Sequence, residues 1–382
     1  MKKFLKLYST EFVFGLVSLL FIILTGAEIL KPMNITAIFL QNSYIFILTT
    51  GMAICMTSKD NIDISIGSFV CFICAMGGVL MAIMKLNTAF TIVLLLILGL
   101  SWGCLSGYLI GYLSIPAWVT TLGGYLGFRG LGVALINTFS TTGSIVGINP
   151  DFMRLFSGKI FPAPINSFGQ SSFFFCIILA ILSIAYRFYS LRKEGSQITK
   201  TFIFGCVLAF IVSILIGVSF ALTGGVPVSF VWMLTVVGIT AIWIEKSAEG
   251  RKLIMLGANM ENARIAGVYV RRAILMTYVF MALCATLTGC IVLARFHASS
   301  SYAGVNFEMD TIAACVIGGV SMHGGRQKIF KAVLGAALIG IINLGLSLIG
   351  VDMNWQWIIK GIIIVISVSF DMYLKKDRDE QI

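Results

Sequence analysis

Long apolar runs are the feature that most constrains this chain. A helix needs about 20 mostly apolar residues to cross the hydrocarbon core of a bilayer. Only 11% of the residues are charged, whereas a soluble globular domain carries about 25%. We therefore expect an all-α, polytopic membrane helical bundle that forms a single domain over residues 1–382. About twelve hydrophobic segments are predicted, near residues 12–30, 37–57, 64–84, 89–113, 117–137, 171–190, 201–222, 226–244, 273–296, 308–321, 329–350 and 355–374.

Two of these segments, 117–137 and 308–321, are short or rich in glycine and polar residues. We expect them to be half-helices or partly unwound. Interrupted backbone is tolerated at membrane depth only where protein or a water-filled cavity surrounds it. Such segments are typical of the binding sites of transporters, so both are expected to lie beside a membrane pathway.

The distribution of lysine and arginine predicts the orientation of the chain. If the N-terminus is cytoplasmic, 20 of these residues fall in inner connections and 5 in outer ones. Cytoplasmic connections carry the excess of positive charge, so both termini are expected in the cytoplasm. This distribution also accounts for the net charge of +11, and a nucleic-acid partner is not needed.

Two connections are long. In the external loop 138–170, Asn149-Pro150, Pro162 and Pro164 mark turns. The loop also carries Phe152, Leu155, Phe156 and Phe161, so we expect an amphipathic cap over the outer mouth. The second connection, 245–272, is strongly charged and is predicted to be cytoplasmic. We call it the handle.

The handle contains the pattern of a short helix. Asn259 is suited to cap its start, Glu261 lies in the first turn, and Gly267 can end it in a left-handed conformation. A helix of about two turns is not stable alone. It must dock either on this protein's own cytoplasmic surface or in the groove of a partner.

Ionisable residues at membrane depth are candidates for function. Asp63 begins the third segment, where it could also serve only as a helix cap. Arg129 could pair with Asp63 or Asp310, or it could line the pathway. Glu308 and Asp310 suit the N-terminus of the tenth segment, and Lys360 needs a partner or must extend to the membrane surface.

Other classes of protein are less compatible with the sequence. A membrane enzyme such as a lipid-modifying transferase would need a cluster of His, Asp and Cys at one membrane face, but His297 and His323 are predicted on opposite sides. A proton-coupled secondary transporter would need a carboxylate deep in a helix, whereas Asp63 and Asp310 lie near segment starts. Neither a metal site nor catalytic residues are predicted, and no G-x-x-x-x-G-K-[ST] phosphate loop occurs.

Five stretches carry recognisable motifs. Residues 61–68 read N-I-D-I-S-I-G-S, residues 257–268 read G-A-N-M-E-N-A-R-I-A-G-V, and residues 308–319 read E-M-D-T-I-A-A-C-V-I-G-G. Residues 115–123 read I-P-A-W-V-T-T-L-G, with Phe128-Arg129-Gly130 after them, and residues 355–361 read W-Q-W-I-I-K-G.

In their order along the chain, these motifs resemble those of the permease subunits of bacterial ABC importers for monosaccharides, the ribose, xylose and multiple-sugar group, over about residues 36–374. The two additional segments within 171–222 favour the longer xylose-type branch. The resemblance implies a permease of the bacterial plasma (inner) membrane that imports a pentose such as xylose or a related sugar. An autoinducer-type furanosyl compound, rhamnose or a nucleoside is the alternative cargo.

The resemblance also implies an obligate assembly. An ABC ATPase, expected to have tandem domains, would bind the handle, with ATP and Mg on the ATPase and no cofactor on this chain. An extracytoplasmic sugar-binding protein and a second permease copy would complete the importer. The implied ATPase-coupling residues are Gly257, Asn259, Glu261, Ala263, Arg264, Ala266 and Gly267. The candidate pathway residues, suited to a neutral sugar, are Asn61, Asp63, Ser65, Thr120, Thr121, Arg129, Asp310, Asn343 and Gln356.

Overall fold

The computed structural model describes residues 9–58, 61–164, 167–193, 200–321, 324–325 and 329–379. Sixteen α-helices make up most of this part of the chain. The first eight are α1 (Ser9–Leu24), α2 (Pro32–Gln41), α3 (Ser43–Thr57), α4 (Ile66–Gly78), α5 (Thr88–Gly111), α6 (Ala117–Phe139), α7 (Pro150–Ser157) and α8 (Gln170–Lys193). The others are α9 (Lys200–Leu222), α10 (Val228–Lys246), α11 (Ala248–Ala258), α12 (Met260–Ile265), α13 (Val270–Phe296), α14 (Phe307–Ile317), α15 (Ile329–Leu348) and α16 (Met353–Asp379).

Every predicted apolar segment coincides with a helix, so the all-α fold class is confirmed. In the described residues, 8 helices are long and apolar enough to cross a membrane, or 9 if the bent pair α2 and α3 is one span. A π-helical turn, Val79–Ile83, completes the span that begins with α4. α1 and the apolar part of α16 are shorter helices, and α14 has 11 residues. The protein is thus a multi-pass membrane protein.

The segment predicted near 117–137 is not broken. α6 is continuous over 23 residues and qualifies as a span. Two of its glycines lie in close contact with their neighbours, since a Cβ atom on Gly124 would clash with the Trp102 ring at 2.4 Å, and one on Gly132 would lie in tight contact with the Cys71 sulfur at 3.1 Å. Here glycine permits close packing rather than unwinding. The second prediction is confirmed, because α14 ends at Ile317 and reaches only part of the way across a bilayer.

A break that the sequence analysis missed lies between α2 and α3. The two helices meet at an angle of 46°, with Asn42 between them. The buried Asn42 side chain donates from Nδ2 to the Gly340 carbonyl of α15 at 3.5 Å. The bend therefore depends on a neighbouring helix, about 300 residues away in the chain.

α3 is the centre of the bundle. All 15 of its residues are buried, and it packs against α10, α13, α14 and α15. A helix that is apolar on every side is suited to such an enclosed position. The pair α8 and α9, which packs mainly on itself and on α2, lies at the edge of the bundle.

α5 and α13 pack along a glycine seam, which consists of Gly99, Gly103, Gly107 and Gly111. Cβ atoms at these four positions would lie 2.1 Å from Thr286 Oγ1, 2.6 Å from Val279 Cα, 2.8 Å from Leu275 Cα and 2.8 Å from the Arg271 carbonyl oxygen, respectively. A small residue at every fourth position lets two membrane helices approach backbone to backbone. This seam fixes α13, the helix that follows the handle.

Four short strands gather at one end of the bundle. β1 (Ser144–Val146) pairs with β4 (Ala298–Ser300), and β2 (Lys159–Ile160) pairs with β3 (Val226–Pro227), both antiparallel. The amphipathic helix expected in the external loop is α7, whose Phe152 and Phe156 are buried. We call the end of the bundle that carries these four strands the strand end.

Candidate functional site

The handle contains two helices. The sequence analysis predicted α12 but missed α11, which precedes it. Ser247 caps α11, because its Oγ accepts a hydrogen bond from the Gly250 amide at 2.9 Å, and Glu249 lies in the first turn. These are ordinary helix-start signals, and they could have indicated α11.

α12 has the predicted cap. The Asn259 Oδ1 accepts hydrogen bonds from the amides of Glu261 at 2.9 Å and Asn262 at 3.1 Å. Gly267 follows with φ of 80°, in the left-handed region that ends helices.

The predicted coupling residues divide into two groups. Gly257 and Ala263 are buried against the chain itself, and a Cβ on Gly257 would fall 1.8 Å from the Thr57 carbonyl oxygen at the end of α3. The remaining members are exposed: Asn259, Glu261, Arg264, Ala266 and Gly267.

Two exposed apolar side chains extend the outward group. Ile265 is 82% exposed and Tyr269 is 81% exposed, close to Glu261 and Arg264 in sequence. The sequence analysis did not select them, although two large apolar side chains in a polar connection are a readable signal. Exposed apolar residues with a polar rim are typical of protein-interaction surfaces. We call Glu261, Arg264, Ile265 and Tyr269 the outer face of the handle.

Asp63 closes a turn in the non-helical stretch before α4. Its Oδ1 accepts hydrogen bonds from the Ser65 amide at 2.9 Å and from the Ser65 hydroxyl at 2.6 Å. Burial raises the pKa of Asp63 and the hydrogen bonds from Ser65 lower it, and together they place it at about 6, above its usual value. The Trp102 indole donates to Ser65 Oγ at 3.2 Å, and Thr121 Oγ1 donates to the Ile62 carbonyl at 3.5 Å. The role of a local cap fits Asp63 here.

Asn61 and Thr120 are also buried. Asn61 donates from Nδ2 to the Ser58 carbonyl at 3.2 Å and accepts from the Tyr278 hydroxyl at 3.5 Å. Thr120 is 8% exposed, and its Oγ1 has no hydrogen-bond partner among the described residues.

Arg129 contacts carbonyl groups rather than a carboxylate. Its Nη1 donates to the Ala303 carbonyl at 3.0 Å and to the Ser301 carbonyl at 3.4 Å. Within the described residues it forms an ion pair with neither Asp63 nor Asp310. These two alternatives are therefore excluded, and the third, that Arg129 lines the pathway, stays a prediction. The guanidinium holds the non-helical stretch 301–306, for which the sequence predicted no structure.

The stretch 301–306 runs alongside α4, from near its C-terminal end towards its N-terminal end. A Cβ on Gly78 would lie 2.6 Å from Ser299 Oγ, and a Cβ on Gly304 would lie 2.0 Å from the Gly67 carbonyl oxygen. Gly67 and Gly78 are 11 residues apart on one helix, which is about 16 Å at 1.5 Å per residue. The chain between β4 and α14 therefore enters the bundle deeply, and α14 begins within it.

Asp310 gathers the polar side chains around the start of α14. Its Oδ2 accepts from the Tyr44 hydroxyl at 3.1 Å and from Asn343 Nδ2 at 3.4 Å. Its Oδ1 accepts from Lys360 Nζ at 2.8 Å, and the two side chains are 11% and 12% exposed. We call Asp310, Lys360, Asn343, Tyr44 and Asn42 the Asp310 network.

Asn343 has one unused atom. Its Nδ2 lies 3.4 Å from Asn42 Oδ1 as well as from Asp310, whereas its buried Oδ1 has no partner among the described residues. Gln356 lies on the same helix as Lys360, but its Nε2 donates to the Val351 carbonyl at 2.9 Å. The network therefore includes Asp310 and Asn343 of the predicted pathway residues, and Gln356 lies one turn away on α16.

Glu308 is a buried carboxylate that the sequence analysis treated only as a helix start. It is 1% exposed, and its Oε2 has no hydrogen-bond partner among the described residues. A Cβ on Gly67 would lie 1.9 Å from this oxygen. His323 lies outside the described residues.

The sequence model of one protein family, described as branched-chain amino acid transport system / permease component, matches residues 34–368. The xylose transport system permease protein of Haemophilus influenzae is 29% identical over 381 residues, which cover 97% of each chain. The D-allose transport system permease protein of Escherichia coli is 26% identical over 97% of this chain and 92% of its own. The ribose import permease protein of Bacillus subtilis is 37% identical over 38% of this chain and 46% of its own. No solved structure matches.

Proposed function

The chain belongs to the family of branched-chain amino acid transport system permease components, and from that premise we propose that it imports a monosaccharide. The main support for this proposal is that permeases named for sugars align with almost the whole chain. A xylose permease and a D-allose permease align with 97% of this chain. The family description names amino acids, but these full-length relatives are named for sugars, and so is the ribose permease that matches in part.

Like its relatives, the chain is a transport component and not an enzyme. Import by an ABC system requires an ATPase and an extracytoplasmic binding protein. We expect ATP and Mg to bind the ATPase, which we propose to have tandem domains, and not this chain.

The outer face of the handle is the proposed contact with the ATPase. Its exposed Ile265 and Tyr269 provide apolar area, and Glu261 and Arg264 provide charges at the rim. Asn259, Ala266 and Gly267 shape α12 and its end. Gly257 and Ala263 would contribute from the inward side by packing the handle on the bundle.

The movement proposed for import runs through α3. ATP binding would bring the ATPase domains together and move the handle, and the bundle would change between outward and inward access. The close contact of Gly257 with Thr57 joins the handle to one end of α3. Tyr44, at the other end of α3, donates to Asp310 at 3.1 Å.

A second copy of this chain is the proposed partner in the membrane. α6 turns an uncovered face away from the described part of the subunit: Leu126 is 65% exposed, and Gly123, Gly127 and Gly130 face open space. Such a face suits close helix packing. The pathway would then run between two copies, and Thr120 and Arg129 lie on this helix.

Xylose or another pentose is the first candidate cargo, with an autoinducer-type furanosyl compound, rhamnose or a nucleoside as the alternative. Uptake of labelled D-xylose, D-ribose, D-allose and D-galactose by cells that express the importer would decide among the sugars. A complete importer that takes up a branched-chain amino acid and none of the sugars would contradict the proposal.

The test of the handle uses Glu261→Ala and Arg264→Ala. We expect sugar uptake to fall at least tenfold, by analogy with the loss of an interface hot spot, while the amount of permease in the membrane stays unchanged. ATPase activity of the reconstituted importer is measured in parallel, and it should lose its stimulation by the sugar-loaded binding protein. Arg154→Ala, an exposed arginine at the strand end, is the control. Unchanged uptake in both handle variants would reject this role.

A further inference from the structure

We propose that the Asp310 network is the place where the permease binds the hydroxyl groups of its sugar, with Lys360 as a hydrogen-bond donor and Asn343 as an acceptor. This inference rests on the proposed function. It adds a recognition site within the membrane to a chain whose selectivity would otherwise reside in the binding protein.

The Asp310 network has unused hydrogen-bonding capacity. An ammonium group has three N–H donors, and Lys360 has one described hydrogen bond, to Asp310. The Asn343 Oδ1 is a buried acceptor without a partner among the described residues. Lys360 Nζ lies 2.8 Å from one oxygen of Asp310 and Asn343 Nδ2 lies 3.4 Å from the other, so the two side chains meet at the same carboxylate.

A hydroxyl group is the ligand that uses both. It donates one hydrogen bond and accepts another, so it can donate to Asn343 Oδ1 while accepting from Lys360. The Tyr44 hydroxyl and the Asp310 carboxylate are adjacent and can serve a neighbouring hydroxyl. Vicinal hydroxyls are the defining chemistry of a monosaccharide.

The charge of the network favours a neutral ligand. Asp310 and Lys360 form an ion pair at 2.8 Å, so the charges of these two members of the network cancel. A charged amino acid or a metal cation would have to disrupt that balance at membrane depth, where uncompensated charge is costly. A neutral polyol does not.

The position of the network permits access. It surrounds the start of α14, where the non-helical stretch 301–306 ends deep in the bundle, and interrupted helices at such depth are typical of transporter sites. Lys360 comes from α16, which packs against α14 and α15 in the part of the chain that the structure describes. Trp355 and Ile358 of this helix are 62% and 52% exposed. A small displacement of α16 would open the ion pair without disturbing the buried α3.

The experiment measures initial uptake by the reconstituted permease with its cognate ATPase and a saturating concentration of sugar-loaded binding protein. At a saturating concentration of loaded binding protein, the uptake rate no longer depends on how tightly that protein binds each sugar. The probes are D-xylose, D-ribose, D-allose or D-galactose, whichever the wild type transports fastest, and each monodeoxy analogue of that sugar. We expect one analogue to be transported about tenfold or more slowly than the parent by the wild type, since a hydrogen bond to a charged group is lost.

The variants separate recognition from structural support. Lys360→Met should slow the parent sugar about tenfold and remove the disadvantage of that one analogue. Because Lys360→Met leaves Asp310 unpaired and can impair folding, two further variants are included. Asp310→Asn combined with Lys360→Met leaves no buried charge, and Asn343→Leu removes the free acceptor. Lys31→Met, which breaks an exposed ion pair with Glu28, is the matched control.

The outcomes are distinguishable. If the wild type transports a branched-chain amino acid and none of the four sugars, the proposed function fails and the inference fails with it. If the wild type transports a sugar but assembled variants slow the parent and all analogues by the same factor, the network only holds α16 in place and the inference is overturned. Loss of the analogue preference in Lys360→Met and Asn343→Leu, with Lys31→Met unchanged, supports it.

Discussion

Single residues at the handle show which contacts can be predicted from local sequence. The Asn259 cap, Glu261 in the first turn and Gly267 at the end of α12 all involve residues within a few positions of one another. Partners that come from distant parts of the chain were not predictable in this way. Arg129 holds the carbonyls of Ser301 and Ala303, and no charge pattern indicates a bond to backbone oxygen.

Buried carboxylates show the same limit. The sequence analysis recognised that Lys360 needs a partner, and Asp310, 50 positions away, supplies it. Glu308 was equally visible as an acidic residue in an apolar segment. Only the packing of Gly67 against its carboxylate distinguishes it from a helix-start residue that faces solvent.

At this scale we predict the effect of Asn259→Ala. The change removes the acceptor for two amides and should destabilise α12 by about 1 kcal/mol. Amide hydrogen exchange should accelerate about fivefold across residues 260–265, while exchange in α13 stays unchanged, and sugar uptake should fall.

Asn149→Ala is the matched control for that prediction. Asn149 caps α7 in the same manner, with its Oδ1 accepting from the Asp151 amide at 3.0 Å, but α7 lies at the strand end. It should accelerate exchange in α7 and leave uptake largely intact. Equal loss of uptake in the two variants would show that the effect is not specific to the handle.

The presence of each long helix was predictable, because the length of an apolar run identifies it. Whether a helix is continuous or broken was not predictable. α6 is unbroken although five glycines lie within it, because Gly124 and Gly132 fit against Trp102 and Cys71. The chain bends instead at Asn42, whose side chain reaches α15. In both cases the deciding group belongs to another helix, so a single segment does not contain the information.

The element most sensitive to substitution should be the glycine seam. In Gly103→Val the added Cβ would lie 2.6 Å from Val279 Cα, and backbone cannot move aside as a flexible side chain can. We expect the free energy of unfolding to fall by about 1–3 kcal/mol or more, measured as a lower thermal unfolding midpoint in detergent.

Gly238→Val tests whether any glycine in a membrane helix would give that result. Gly238 lies in α10, and a Cβ there would meet nothing within 4 Å. Its unfolding midpoint should stay close to that of the wild type. A loss as large as that of Gly103→Val would mean that the seam is not the cause.

For the whole molecule, the distribution of charge predicts that the handle is cytoplasmic and the strand end external. β1 to β4 join the connections that precede α7, α8, α10 and α14, so these connections lie together. The handle instead packs against Thr57 and Gly325. The structure thus shows that the connections with strands lie together and that the handle packs elsewhere. The assignment of these two groups to the two sides of a membrane stays a prediction.

That orientation is tested with Arg154→Cys at the strand end and Glu249→Cys in the handle. In intact cells a membrane-impermeant maleimide should label only Arg154→Cys, and Glu249→Cys should react after permeabilisation. Eight native cysteines are buried, and Cys104 is exposed within α5, so the unmodified chain supplies the background. Labelling of Glu249→Cys in intact cells would reverse the orientation.

The glycine seam has a consequence at the level of the gene. Every amino acid other than glycine carries a Cβ, and at Gly99, Gly103, Gly107 and Gly111 that atom would fall between 2.1 and 2.8 Å from α13. A nucleotide change at the first or second base of any of these four codons replaces glycine. Third-base changes are silent, so neutral drift along the seam should be confined to the third base.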